Sequence, residues 1–414
     1  MDEITELLEK YNQKKLIKFL NILNEEEKRN LEKQIKNINF EQMMELYNAT
    51  KKQVTFEEKN IEHIEYTDKS KLTKEEKNEL DKIGEEIIKN GKYAVVTMAG
   101  GQGTRLGHSG PKGTLEISVN SGKKYLFQII VEALQRANKK YNSNIPWYIM
   151  TSRENNKDTV DFLEKHNYFG YDKNNIKLFI QGELPLVDTE GNLVIGKDKK
   201  IKEAADGNGG IYEAMAKGHI LEDMEKRGVE WIFVGGIDNV LLNIVDPTLV
   251  GLTIKENNLI ASKSIVKRDP KEKAGVFCKV NGKPKVIEYT ELPDELAEQV
   301  KEDGELVFGE LNILSHLYNI KVLKDLAEVK LKYHTAFKKS DYLDENGNYI
   351  EVNEPNVYKF EAFIFDAFER YENMSILRVK REDEFAPIKN KEGVDSPETA
   401  IKLYNEKFKI GSEL

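Results

Sequence analysis

Tyr93-Ala94-Val95-Val96-Thr97-Met98-Ala99-Gly100-Gly101-Gln102-Gly103-Thr104-Arg105-Leu106-Gly107 is the most informative segment of the chain. Its first six residues are apolar or β-branched in one short run, which predicts a buried strand. Four glycines then fall at 100, 101, 103 and 107, and Pro111-Lys112-Gly113 follows. Glycines placed directly after a buried strand let backbone N–H groups come close to an anion. Arg105 would add a planar fork of donors and Lys112 a point charge. A lone glycine cluster is as often only a turn, so the spacing has to be tested. The dinucleotide fingerprint needs a glycine three places after Gly103, where Leu106 stands. A Walker A loop needs Gly-Lys followed by Ser or Thr, whereas Pro111 precedes Lys112 and Gly113 follows it. Both of those readings fail on the residues themselves.

Outward from the loop, a helical pattern carries Leu126, Ile129, Ile130 and Leu134, and Trp147-Tyr148-Ile149-Met150 reads as the next strand. A helical segment with Val160 and Leu163 comes next, then strands at 176–180 and 231–234 with a helix near 211–226 between them. Strands alternating with helices predict an α/β, Rossmann-like domain whose sheet is mixed and mostly parallel. In such sheets ligands bind beyond the carboxyl ends of the strands. From about 262 the pattern turns hairpin-like, with Val276 to Val280, an Asn281-Gly282 turn and Lys285 to Tyr289.

Residues 1–90 have a different texture, rich in Lys and Glu, without Pro and with only Gly84 as a break. Leu16, Phe19, Leu20 and Leu23 fall at helical spacing, as do Leu80, Ile83 and Ile87, and Thr73 with Glu76 fits a capping box. The expected division is a helical region at 1–90, the α/β domain at 91–390 and a short tail at 391–414.

The formal net charge of −9 argues against a nucleic-acid surface but allows a small phosphate ligand held by a few local cations. Cys278 is the single cysteine, so no intramolecular disulfide can form. Its place in a hairpin strand suits a packed side chain better than a nucleophile. The acidic start, Met1-Asp2-Glu3-Ile4, lacks the pattern of a signal peptide, and no apolar run is long enough to span a bilayer. These features predict a cytoplasmic protein without a membrane partner.

Gly-Gly-x-Gly-Thr-Arg-Leu-Gly at 100–107, three residues and then Pro111-Lys112 resembles the signature of the UDP-sugar pyrophosphorylases, in particular the UDP-N-acetylhexosamine pyrophosphorylase-like branch. Further segments resemble that family in order. They are Met150-Thr151-Ser152, Gln181-Gly182-Glu183-Leu184-Pro185, Asp206 to Tyr212, Asp238-Asn239-Val240-Leu241 with Asp246-Pro247, and Val286 to Tyr289. Leu311-Asn312-Ile313 and Arg381 to Asn390 close the series. The resemblance implies a uridylyltransferase that makes a UDP-sugar and pyrophosphate from UTP and a sugar 1-phosphate. It also implies that no enzyme nucleophile is used, and the six histidines form no His-x-His pair that would support a covalent route. Such a transfer gains most from positioning and charge neutralisation.

By resemblance, Gly100, Gly101, Gly103 and Thr104 hold the nucleotide, Arg105 and Lys112 its phosphates, and Gln181 the uracil edge. Gly209 lies against the nucleotide and Asn208 against the sugar, which Glu288 and Asn312 also contact. Asp238 ligates Mg²⁺, and Lys389 neutralises the sugar phosphate, with Lys359 a weaker candidate of that kind. On sequence alone an Asp after a strand is as often a helix cap, Asp-Gly-Asn-Gly-Gly is usually a turn, and most such lysines are merely solvated. Two departures stand out. Gly235-Gly236 replaces a bulkier pair, and the chain stops soon after Lys389, which leads us to expect a monomer. N-acetylglucosamine 1-phosphate is the favoured acceptor. Glucose 1-phosphate, a broad UDP-sugar specificity and a non-catalytic nucleotide-sugar sensor remain as alternatives.

Overall fold

The computed structural model describes residues 3–51 and 60–409, and they fall into two compact units. The larger comprises residues 59–181, 211–330 and 365–414, and the smaller comprises 1–58, 182–210 and 331–364.

The larger unit is built on one sheet. Its main strands are β1 (Thr67–Asp68), β2 (Tyr93–Met98), β3 (Trp147–Thr151), β4 (Ile176–Ile180), β5 (Trp231–Gly236), β6 (Ile260–Val266), β7 (Glu310–Asn319) and β8 (Ser375–Arg378). They lie in the order β1-β8-β6-β7-β5-β2-β3-β4. Every neighbouring pair on that path is parallel except those made by β7, which is antiparallel to both β5 and β6. The sheet is therefore mixed and mostly parallel, as the strand and helix alternation predicts. All residues of β2, β3 and β5 are buried, which explains why these strands read as continuous apolar runs.

Local chemistry accounts for the helices beside the sheet. In Leu126–Tyr141 the buried residues include Leu126, Ile130, Leu134, Ala137 and Tyr141, one face of a 3.6-residue period. The helix stops at Asn142, in the left-handed region at φ 50°. Lys74–Lys89 starts at the predicted capping box, with the Thr73 and Glu76 side chains each accepting the other's backbone N–H. Gly84 is where this helix meets its neighbour Pro247–Lys255. A Cβ there would lie 2.0 Å from the Pro247 carbonyl oxygen, and one on Gly251 would lie 2.0 Å from that of Leu80. The glycine that interrupts the charged sequence is a packing requirement.

The smaller unit gathers the helices Glu3–Lys10, Lys14–Leu20, Glu25–Lys36 and Phe40–Thr50 with short strands from the two later segments. Leu8, Phe19, Leu31 and Ile35 share a core with Val187, Ile195, Ile201 and Phe360. The division expected at residue 90 is thus displaced. The first four helices bury their apolar faces on inserted segments, whereas Lys74–Lys89 belongs to the larger unit. The expected tail is also more structured than its composition suggests. Pro397–Lys407 is a helix capped by Ser396 that buries Ala400 and Tyr404, while residues 410–414 lie outside the described residues.

His316 on β7 gives the fold a pH dependence. Its ring is fully buried, with Nδ1 2.7 Å from Ser262 Oγ and Phe368 edge-on at 5.2 Å. Burial pushes its pKa down from 6.5 to about 3. The unfolded chain therefore takes up a proton near its ordinary value that the folded chain refuses until far lower pH. Stability is full above the unfolded value and falls on acidification by ~1.4 kcal/mol per pH unit. Urea unfolding between about pH 7 and about pH 5 should show this slope in the wild type and a shallower one in His316→Phe. Equal slopes would assign the loss to other groups.

Candidate active site

Strand β2 ends at the glycine-rich loop, and the loop folds back on itself. Gly103 N donates to the Gly110 carbonyl at 2.9 Å and Lys112 N to the Gly101 carbonyl at 3.0 Å. Among the described residues, the N–H groups of Gly100, Gly101 and Gln102 make no hydrogen bond within the protein. Three consecutive amides without a protein partner at the carboxyl end of a parallel strand are donors available to an anion. Gly100 sits against Gln181, since a Cβ on it would lie 2.9 Å from Gln181 Oε1. The Gln181 backbone N–H donates to the Thr151 carbonyl at 2.8 Å, which places the residue beside the loop. Nucleotide-loop and uracil-edge candidates are therefore neighbours.

Asn155 orients this loop, and sequence reasoning missed it. The side chain is completely buried. Its Nδ2 donates to the carbonyls of Ala99 at 2.9 Å and Gly101 at 3.4 Å, and its Oδ1 accepts from Ser152 N at 2.8 Å. Because these carbonyls turn inward, the flanking amides are left for a ligand. The only signal in the chain is Ser152-x-x-Asn155 after a strand, which reads as an ordinary helix start.

Strand β5 delivers Asp238 to the same end of the sheet, two residues after Gly236. Lys112 Nζ lies 3.7 Å from Asp238 Oδ2 and donates to the Ile388 carbonyl at 3.4 Å. Ile388 N donates to the Asp238 carbonyl at 2.9 Å, and Asn239 binds the Glu384 carbonyl and the Ala386 amide. Residues 384–388 are thereby stitched to 238–240, and Lys389 follows immediately with an exposed side chain. Lys112, Asp238 and the backbone of Lys389 are brought together from three distant parts of the chain. Arg105 and Thr104 stand exposed on the loop.

A second group forms around Gly275. Asn312 N donates to the Gly275 carbonyl at 2.9 Å, and a Cβ on Gly275 would lie 3.0 Å from Glu288 Oε1. Asn312 Oδ1 also accepts from Leu314 N at 3.0 Å, where β7 bulges and Leu314 adopts φ 55°. Glu288 and Asn312 thus share one end of the hairpin Val276–Val280 and Lys283–Ile287. Cys278 is buried inside that hairpin and its thiol is pushed up to about 12 by burial, so it is not poised as a nucleophile.

The remaining candidates belong to the smaller unit. Asn208 Oδ1 accepts from Ile364 N at 2.9 Å, and Gly209 N donates to the Ala362 carbonyl at 2.8 Å. A side chain on Gly209 would strike the backbone of Ala362 and Phe363. Lys359 Nζ is 2.7 Å from Glu361 Oε1, so it is already paired.

Comparison with known proteins agrees with this architecture. Residues 37–397 match the sequence model of a family described as UTP–glucose-1-phosphate uridylyltransferase. UDP-N-acetylglucosamine pyrophosphorylase of Saccharomyces cerevisiae is 42% identical over 347 residues, covering 81% of this chain and 72% of its own. UDP-N-acetylhexosamine pyrophosphorylase-like protein 1 of Homo sapiens is 40% identical over 320 residues, covering 75% of this chain and 63% of its own. The chain thus spans less than two thirds of the human relative. The crystal structure of UDP-N-acetylglucosamine pyrophosphorylase from Trypanosoma brucei in complex with inhibitor superposes with a TM-score of 0.82 at 27% identity, covering 97% of this chain and 84% of that one. With a sequence match across most of its length, and the glycine-rich loop, Lys112 and Asp238 set at one edge of the sheet, the chain belongs to the UTP–glucose-1-phosphate uridylyltransferase family.

Proposed function

We propose that this chain is a uridylyltransferase that forms a UDP-sugar and pyrophosphate from UTP and a sugar 1-phosphate, with N-acetylglucosamine 1-phosphate the favoured acceptor. The observation that carries the reading is the run of amides without a protein partner at Gly100, Gly101 and Gln102, in a loop closed on itself so that Lys112 stands beside Asp238. A phosphate oxygen of the sugar 1-phosphate attacks the α-phosphorus of UTP. The new O–P bond forms as the bond from the α-phosphorus to the bridging oxygen breaks, and pyrophosphate leaves with the electron pair. The loop amides, Gly103 and Thr104 orient the triphosphate, and Arg105 and Lys112 neutralise it. Gln181 reads the uracil edge through an amide that offers both donor and acceptor. Glu288 and Asn312 meet the sugar and Lys389 its phosphate, while Asn208 and Gly209 keep the sugar and nucleotide roles that the family resemblance gives them.

Asp238 suits a divalent cation, and we take Mg²⁺ as that cation. Among the described residues no group of three or more His, Cys, Asp or Glu side chains stands ready to hold a metal. Mg²⁺ does not need one, because it binds through one or two carboxylates and completes its shell with phosphate oxygens and water. When bound it would supply charge neutralisation on the triphosphate. No helix among the described residues is long and apolar enough to cross a membrane. The substrates and the buried thiol of Cys278 suit a reducing cytoplasm.

Pyrophosphate release with UTP and Mg²⁺ tests the reading on a panel of N-acetylglucosamine, N-acetylgalactosamine, glucose and galactose 1-phosphates. Release is expected to be fastest with the first. Faster release with glucose 1-phosphate, the acceptor in the family description, would reassign the sugar. Silence with all four from folded protein would overturn the reaction and favour a nucleotide-sugar sensor.

Asn155→Ala should raise KM for UTP by roughly tenfold or more, since it removes a buried donor from two loop carbonyls. Asn155→Asp keeps the acceptor for Ser152 N but sets a buried carboxylate against the Ala99 and Gly101 carbonyls, so it should match the alanine variant in KM and melt no higher. An unchanged KM in both would show that the loop holds its shape without this side chain.

A further inference from the structure

The larger unit carries a cavity of about 740 Å³ bounded by the helices Lys74–Lys89 and Leu126–Tyr141, the segment 239–248 and the end of the C-terminal helix. Six cationic side chains line it, Lys69, Lys77, Arg136, Lys139, Lys140 and Lys407, against two carboxylates, Asp81 and Asp246. In a chain of net charge −9 this is a local inversion of sign.

Both carboxylates are already engaged. Asp246 lies 2.7 Å from Lys69 Nζ and 2.8 Å from Lys263 Nζ, and it caps Thr248 N. Asp81 pairs with Lys77 and accepts the Thr248 hydroxyl at 2.5 Å. Among the described residues, Arg136, Lys139 and Lys407 make no ion pair with a carboxylate, while Tyr141 and the more distant Glu85 and Asp81 favour the charged form of Lys140. Lys407 makes do with the backbone carbonyls of Asp383 and Leu241. Burial lowers its pKa despite nearby Glu384, as befits a cation that still lacks a counter-charge.

The rest of the wall is apolar and aromatic. Ile129, Ile130 and Val240 line the cavity, and the ring of Phe408 carries Arg136 at 5.3 Å. The volume falls in the range of small-molecule sites, and unpaired cations around an apolar floor suit an anion with a planar or apolar body. We infer that this cavity is a second ligand site, distinct from the glycine-rich loop, for a phosphate-bearing small molecule of nucleotide size. Its wall includes Asn239, the residue after Asp238, so an occupant would touch the segment that holds the candidate active site together.

Calorimetric titration of the full chain with ATP tests this, using the wild type, Lys112→Ala and the triple variant Arg136→Ser/Lys139→Ser/Lys140→Ser. The three substituted side chains are exposed, so the fold should survive, and circular dichroism checks that it does. ATP should bind the wild type and Lys112→Ala alike and bind the triple variant about tenfold or more weakly. Equal binding by the triple variant, no binding by the wild type at millimolar ATP, or loss in Lys112→Ala instead would each overturn the site. None of these outcomes depends on uridylyl transfer, so the two readings fail separately.

Discussion

Lys112→Ala should lower pyrophosphate release by about 10²- to 10³-fold while leaving the fold in place. Phosphoryl-type transfer leaves little covalent work for the protein, so catalysis lies in placed charge. Lys112 is placed twice over. Its backbone N–H closes the loop on the Gly101 carbonyl, and its ammonium stands 3.7 Å from Asp238. Alanine keeps the first contact and deletes the second. The structural cost should be small, within about 1 kcal/mol, because the ammonium is partly solvated and makes only one long hydrogen bond, to Ile388. Lys112→Arg should recover part of the rate, since it restores charge with a different shape. Steady-state turnover with a melting curve on the same preparations checks both halves. Near-normal turnover in the alanine variant would remove Lys112 from the phosphate site.

Much of this site is legible in the chain because its parts are local. A buried parallel strand has to be apolar on both faces, so β2, β3 and β5 announce themselves, and the loop after β2 carries its glycines in sequence. The same holds for the Thr73 to Glu76 capping box and for the Asn281-Gly282 turn, where both residues take positive φ, 52° and 80°. What the chain hides is long-range. The first four helices share a core with residues 187–201 and 343–360, and no periodicity records that pairing. Asn155 looks like any polar residue after a strand until the Ala99 and Gly101 carbonyls arrive beside it. The predicted helix near 211–226 breaks in two at Gly218-His219, with His219 at φ 54°, a local conformation that its helical spacing does not reveal. Lys359 has a partner that its charge alone does not reveal, the Glu361 carboxylate two residues on. The likeness to known pyrophosphorylases covers these gaps for the fold, because it extends over most of this chain. It adds less for Asn155 and for the basic cavity, which only geometry brings out.

Lys263→Met should destabilise the larger unit by about 3–5 kcal/mol, the largest stability effect we expect from a single substitution here. Lys263 is completely buried on β6. Its ammonium lies 2.8 Å from Asp246 and 2.5 Å from Glu384, and donates to the Asn243 carbonyl at 3.1 Å. Burial alone would raise the pKa of Asp246. The ammonium groups of Lys263 and Lys69 outweigh that and hold it far below its ordinary 3.8. The stabilisation is therefore complete above that ordinary value and is lost as pH falls through the acid range. Methionine fills similar space but leaves Glu384 buried without its cation, and the cost of that orphaned charge dominates. Lys263→Met/Glu384→Gln removes both members and should regain much of the loss, since a neutral pair avoids the desolvation penalty. Urea unfolding near neutral pH separates the cases, read on the transition of the larger unit because two compact units need not unfold together. A double variant no more stable than Lys263→Met would show that packing rather than charge sets the loss. The consequence reaches the active site through a short path. Glu384 opens the segment whose Ile388 amide binds the Asp238 carbonyl, and its own carbonyl accepts from Asn239. A buried cation on β6 thus anchors the segment that carries Lys389, and turnover in Lys263→Met should fall even at temperatures where the variant remains folded.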